Sequence, residues 1–112
     1  MTRHQAAILS LLLSSAVIGS HALAAEAELT LVIKDHRFEP PEIKVPAGQR
    51  VRLIVHNQDA TPEEFESHDL NREKVIPAGA KVTIYIGPLK AGRYGFYGEY
   101  NETTAKGAVI AE

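Results

Sequence analysis

The stretch "VPAGQRVRLIV", residues 45–55, joins a turn to a strand without a break. Pro46 fixes its own φ and Gly48 permits the turn, after which Val51, Leu53 and Val55 alternate with Arg52 and His56. A period of two is that of a pleated strand, and Ile54 offers an apolar side chain to the second face as well. "IPAGAKVTIYI", residues 76–86, repeats the device: Pro-Ala-Gly, a basic residue, then Val82, Ile84 and Ile86 in alternation. Two such launches predict two strands that start from the same end of a sandwich.

Working outward, Leu29–Lys34 is rich in strand formers, and shorter strands are predicted at Ile43–Val45, Glu64–Ser67, Arg93–Tyr97 and Lys106–Ile110. Glu66 to Glu73 reads as the one long irregular connection, polar throughout. No window carries a helical stripe. Short strands at this spacing, with Pro and Gly between them, predict an all-β antiparallel sandwich.

The first residues read as an export signal rather than as part of the fold. Arg3 and His4 precede an apolar run from Ala6 to Ile18, and Ala22-Leu23-Ala24 supplies the small-x-small cleavage pattern. A bilayer span takes about 20 apolar residues, and this run stops earlier, at Gly19-Ser20-His21. The expectation is a signal peptide over residues 1–24 and one small domain over 25–112, exported to the periplasm. The chain has no cysteine, so neither disulfides nor a lipidated cysteine contributes. All 14 acidic residues lie after residue 24, with 11 of the 12 basic ones. That balance excludes a nucleic-acid partner, which needs a basic surface.

Three stretches carry a resemblance. "FEPPEIKVPAGQRVRLIVHN", "EKVIPAGAKVTIYI" and "GRYGFYGEYNETTAKGAVIAE" together resemble the cupredoxin fold, a Greek-key sandwich of about seven or eight strands. "DHRFEP", "ATPEEFES" and "FYGEYNETTAKG" are similar to a narrower group, the periplasmic FtrB-like proteins and EfeO-type domains of bacterial iron-uptake systems. The resemblance implies a metal-binding protein that handles iron or copper ions beside an inner-membrane iron permease complex.

A type-1 copper site needs a thiolate and two imidazoles, with a weak axial ligand. Carried onto this chain, the cysteine position falls on Gly98, the second histidine on Asn101 and the axial methionine near Ala105 or Lys106; the first histidine falls on Glu63 or Glu64. A blue copper centre is therefore excluded. What remains are oxygen donors. Alternation along the strand puts Glu64, Glu66 and His68 on one face and turns Phe65 to the core. Carboxylates so crowded repel one another unless a cation lies among them. Glu64 and Glu66 are the expected main ligands, with His36, Glu63 and Glu99 in support.

Each of these residues also has a plainer reading. Surface glutamates commonly face only water, His36 would suit a turn, and His56 reads as a structural histidine beside an Asn57 that ties the strand end to the ligand loop. Oxygen and imidazole donors suit Mn, Fe, Zn or Cu(II), and hard oxygen ligands stabilise Fe(III), which is the basis for a ferroxidase-like activity. No phosphate loop, Gly-x-Ser-x-Gly elbow or His-Glu-x-x-His appears. The alternatives are a metal-free sandwich that docks onto a transporter complex and a Cu(II)-binding periplasmic protein.

Overall fold

The computed structural model describes residues 26–112; the expected signal segment lies outside them. Within this range the chain forms nine strands and one short 3-10 turn. The strands are β1 (Ala27–Lys34), β2 (Arg37–Glu39), β3 (Glu42–Val45), β4 (Val51–Asn57), β5 (Glu63–Ser67), β6 (Arg72–Ile76), β7 (Lys81–Ile86), β8 (Gly92–Gly98) and β9 (Lys106–Ala111), and the turn is Glu99–Asn101. They make two sheets, ordered β2-β1-β4-β7 and β3-β9-β8-β5-β6. The all-β sandwich is as expected.

Three details differ from the sequence reading. The sandwich is mixed, because β1 runs parallel to β4 and β3 parallel to β9; the chain changes sheet between the members of each pair. The two Pro-Ala-Gly strands, β4 and β7, are antiparallel neighbours with Val51 opposite Ile86, so they start from opposite ends. Gly48 and Gly79 adopt positive φ, 75° and 71°, as the Pro-Ala-Gly turns predict; the relative direction of the two strands is what differs. Lastly, residues 66–73 are not one irregular connection: β5 runs to Ser67, and after a turn with Asn71 at φ 51° the chain returns as β6.

The core is the space between the inner faces. Leu31, Ile33, Leu53, Val55, Ile84 and Ile86 from one sheet meet Ile43, Val45, Phe65, Ile76, Phe96 and Val109 from the other, all buried. Phe38, on the edge strand β2, closes one end of this layer. Its ring stands edge-on to Phe96 at 4.9 Å between centroids and to Phe65 at 6.2 Å, while Phe65 and Phe96 lie 5.0 Å apart. Edge-to-face pairs at such distances add to the burial of their area. At the far side Arg72, on β6, crosses to the other sheet: its Nε donates to the Tyr85 carbonyl at 2.8 Å, and its Nη1 to the Asn71 carbonyl at 2.9 Å.

Because Phe65 is fully buried at the junction of both sheets, Phe65→Ala leaves a cavity that the surrounding strands cannot fill. It is expected to lower stability by about 3–5 kcal/mol, read as a shift of the urea unfolding midpoint with unchanged slope.

Candidate metal centre

Strand β5 is central to its end of the five-stranded sheet, with β6 on one side and β8 on the other. Phe65 points inward, so its neighbours Glu64 and Glu66 point outward. The register then sets their company. Glu66 lies directly opposite Glu73 on β6 and opposite Tyr97 on β8, while Glu99 opens the turn that follows β8. One carboxylate oxygen from each of Glu64, Glu66, Glu73 and Glu99 lies within 4.8 Å of all the others.

Like charges directly opposite across a sheet are destabilising, and this group has no cation to offset it: among the described residues, no lysine, arginine or histidine forms an ion pair with any of the four. Burial sharpens the problem. Glu64 is only 7% exposed, and the Oε2 atom of Glu66 is buried without any hydrogen-bond partner. Contact with the Glu73 carboxyl first, then burial, then contact with Glu99, pushes the Glu64 carboxyl up to about 7. The hydroxyls of Tyr97 and Tyr100 edge the group; burial, and after it the charges of Glu66 and Glu64 respectively, push both upward.

The other expected ligands are placed differently. Glu63 faces inward and is 1% exposed. Its Oε1 accepts from the backbone N–H of Glu64 (3.0 Å) and of Tyr100 (2.9 Å), and its Oε2 accepts from Asn101 Nδ2 (2.6 Å). His36 lies outside the cluster. With Asp35 it forms the two-residue turn between β1 and β2, both residues at positive φ (52° and 57°), a turn type that matches the twist of a hairpin. The Asp59 carboxylate accepts from both backbone N–H groups and lies 3.6 Å from His36 Nδ1. His68 follows the outward phase, is exposed, and lies 3.2 Å from the Tyr97 hydroxyl. Asn57, fully buried, donates to the carbonyls of Thr61 and Ile76, tying the end of β4 to the segment before β5.

Glu73 is the member that the sequence reading missed. The signal for it was the turn chemistry of "HDLN" followed by an expected strand start at "IPAG": once residues 63–76 are read as a hairpin, Glu73 falls opposite Glu66.

Copper of the blue type does not fit this chain. Of the positions that would carry its ligands, Gly98 and Asn101 meet the Glu63 side chain: a Cβ on Gly98 would lie 2.6 Å from Glu63 Cδ, and 2.7 Å from Ala105 Cβ as well, and Asn101 is bonded to Glu63 directly. The interior position is filled by a carboxylate held by three N–H groups. The four outward carboxylates, by contrast, are a hard, anionic donor set of the kind that oxygen-seeking cations take.

A family model described as a cupredoxin-like domain matches residues 5–111. Over 83 residues, 74% of this chain, the sequence is 46% identical to an uncharacterized protein of Rickettsia prowazekii (strain Madrid E), and the match spans 66% of that protein's length. Among solved structures, the fold is similar to the metal binding domain of the Streptococcus pneumoniae D39 Cu(I) exporting P-type ATPase CopA (TM-score 0.68, 15% identity, 76% of this chain and 84% of that one). It is also similar to auracyanin A, a "blue" copper protein from Chloroflexus aurantiacus (TM-score 0.67, 13% identity, 78% and 99%). At these identities the likeness is one of fold. Among the described residues no helix is long and apolar enough to cross a membrane.

The raised Glu64 carboxyl has a signed consequence. The folded protein binds this proton more tightly than the unfolded chain, so the contribution is fully present below about pH 4.5 and is lost as pH rises through about 7. Thermal melts in chelator are therefore expected to show stability falling over this window. Glu64→Gln, which mimics the protonated form, removes that fall and melts above the parent at pH 8.

Proposed function

The chain belongs to the cupredoxin-like domain family, and from that premise we propose that it is a metal-binding protein whose cargo is iron, held by Glu64, Glu66, Glu73 and Glu99 on the outer face of the five-stranded sheet. The observation that carries this reading is the buried Glu66 Oε2, without a hydrogen-bond partner inside a group of four carboxylates that forms no ion pair among the described residues. A buried polar atom without a partner costs about 1–3 kcal/mol, more when charged. A bound cation would supply that partner, displace the Glu64 proton and turn mutual repulsion into shared attraction.

The donor set favours the role in uptake that the iron-system resemblance implies. Four carboxylates prefer the harder Fe(III) to Fe(II) and lack the sulfur that Cu(I) seeks. The apolar run before residue 19, with Ala22-Leu23-Ala24 after it, supports export, and hence a site that meets iron in the periplasm before an inner-membrane permease. Partial exposure of Glu66 and the exposure of Glu73 and Glu99 suit a site that loads and releases. A second reading, a metal-free docking module, is favoured by one observation, the filling of the interior position by Glu63.

Titration of the purified protein with Fe(II) without oxygen, Mn(II), Zn(II) and Cu(II), beside a Glu64→Gln/Glu66→Gln variant, decides between them. One hard cation per chain is expected, with affinity falling by at least about tenfold in the variant, the scale set by changes to supporting residues alone. Tightening as pH rises toward 8, as the Glu64 proton leaves, is expected as well. No binding below high micromolar concentration favours the docking module, and equal binding by the variant overturns the assignment of the site to these glutamates.

A further inference from the structure

We infer that Glu63 is a positioning residue for the acidic cluster, holding Glu64 and the turn that bears Glu99 together from inside the protein. The inference rests on the metal site proposed above. Sheet pairing between β5 and β8 consists of Phe65 with Gly98 and Glu66 with Tyr97, and it ends one residue before Glu99. Beyond that point the backbone bonds of the turn close on the turn itself, Gly98 N to Ala105 O and Ala105 N to Asn101 O. The turn has no side-chain cap of its own at Gly98.

Glu63 supplies what is missing from across the sheet. A single oxygen, Oε1, accepts from the backbone N–H of Glu64, a member of the cluster, and from that of Tyr100, the residue after Glu99. The second oxygen fixes the Asn101 side chain at 2.6 Å. One carboxylate thus spans the two pieces of chain whose side chains must meet on the opposite surface. The absence of a side chain at residue 98 is what lets it pass, since a Cβ there would lie 2.6 Å from Glu63 Cδ. Without Glu63 the Tyr100 N–H loses its acceptor; the Thr104 hydroxyl still ties the far end of the loop to the His36 carbonyl at 2.6 Å, but residues 99 and 100 lose their bond to β5, which lets Glu99 move away from Glu64.

The test is a cycle of Mn(II) affinities for the parent, Glu63→Ala, Glu99→Ala and the double variant. Glu63→Ala is expected to weaken Mn(II) about tenfold or more, as the loss of outer supporting groups does. With Glu99 already removed, the same change is expected to cost much less, under about threefold, because residues acting through each other are not additive. Glu63→Gln, which keeps an acceptor oxygen for Tyr100, is expected to bind near the parent level. An equal cost of Glu63→Ala in both backgrounds, or a Glu63→Gln as weak as Glu63→Ala, overturns the inference.

If circular dichroism shows Glu63→Ala unfolded, Asn101→Ala takes its place in the cycle, expected to weaken binding less but with the same non-additivity toward Glu99; additivity overturns the inference equally. Failure of the metal site itself shows separately, as undiminished Mn(II) binding by Glu64→Gln/Glu66→Gln.

Discussion

Everything at the surface site depends on Phe65 being inside. Its ring is locked between Phe38 and Phe96 at the meeting of the two sheets, which fixes the phase of β5. In a pleated strand a one-residue slip would exchange the faces, burying Glu64 and Glu66 and exposing the phenylalanine. The aromatic contact therefore places two carboxylates outside and, by the same alternation, Glu63 inside. The pairing of β5 with β6 and β8 then brings Glu73 and Tyr97 alongside Glu66. Function at this end of the molecule follows from packing at its centre.

That arrangement is locally unfavourable. A sheet chosen for stability alone would place an opposite charge or a β-branched residue across from Glu66; this one places Glu73. Violations of a local rule that persist within an otherwise consistent fold tend to mark sites where something besides folding is served. The contrast with Glu63 is instructive. Its carboxylate is more deeply buried than any in the cluster, yet it has three N–H partners and so poses no such problem.

Much of this was legible in the sequence, because strands with one buried face declare themselves by alternation. Strands β1, β4, β7, β8 and β9 were each read within a residue or two of their bounds, and the outward phase of Glu64 and Glu66 followed from that of Phe65. Strand β6 was hidden because "REKVI" has a single buried side chain, Ile76, so its pattern is that of a solvated loop; Glu73 was lost with it. Strand β2 is three residues long with only Phe38 inside, too short for any period to show. The role of Glu63 was illegible for a different reason. Its three partners are one chain neighbour and two residues nearly forty positions away, and nothing local distinguishes a carboxylate bonded in this way from one facing water.

The Arg72 guanidinium has a further effect. Strands β6 and β7 are the outer strands of their sheets on the same side of the sandwich, where unpaired backbone groups invite another chain to add a strand and start ordered aggregation. By donating to the Tyr85 carbonyl from across the gap, with its charged group lying over the margin, Arg72 gives one of those acceptors a partner within the same molecule. The acidic surface thus lies beside a margin guarded against templated self-association, so that crowding of copies at high concentration has one fewer place to begin.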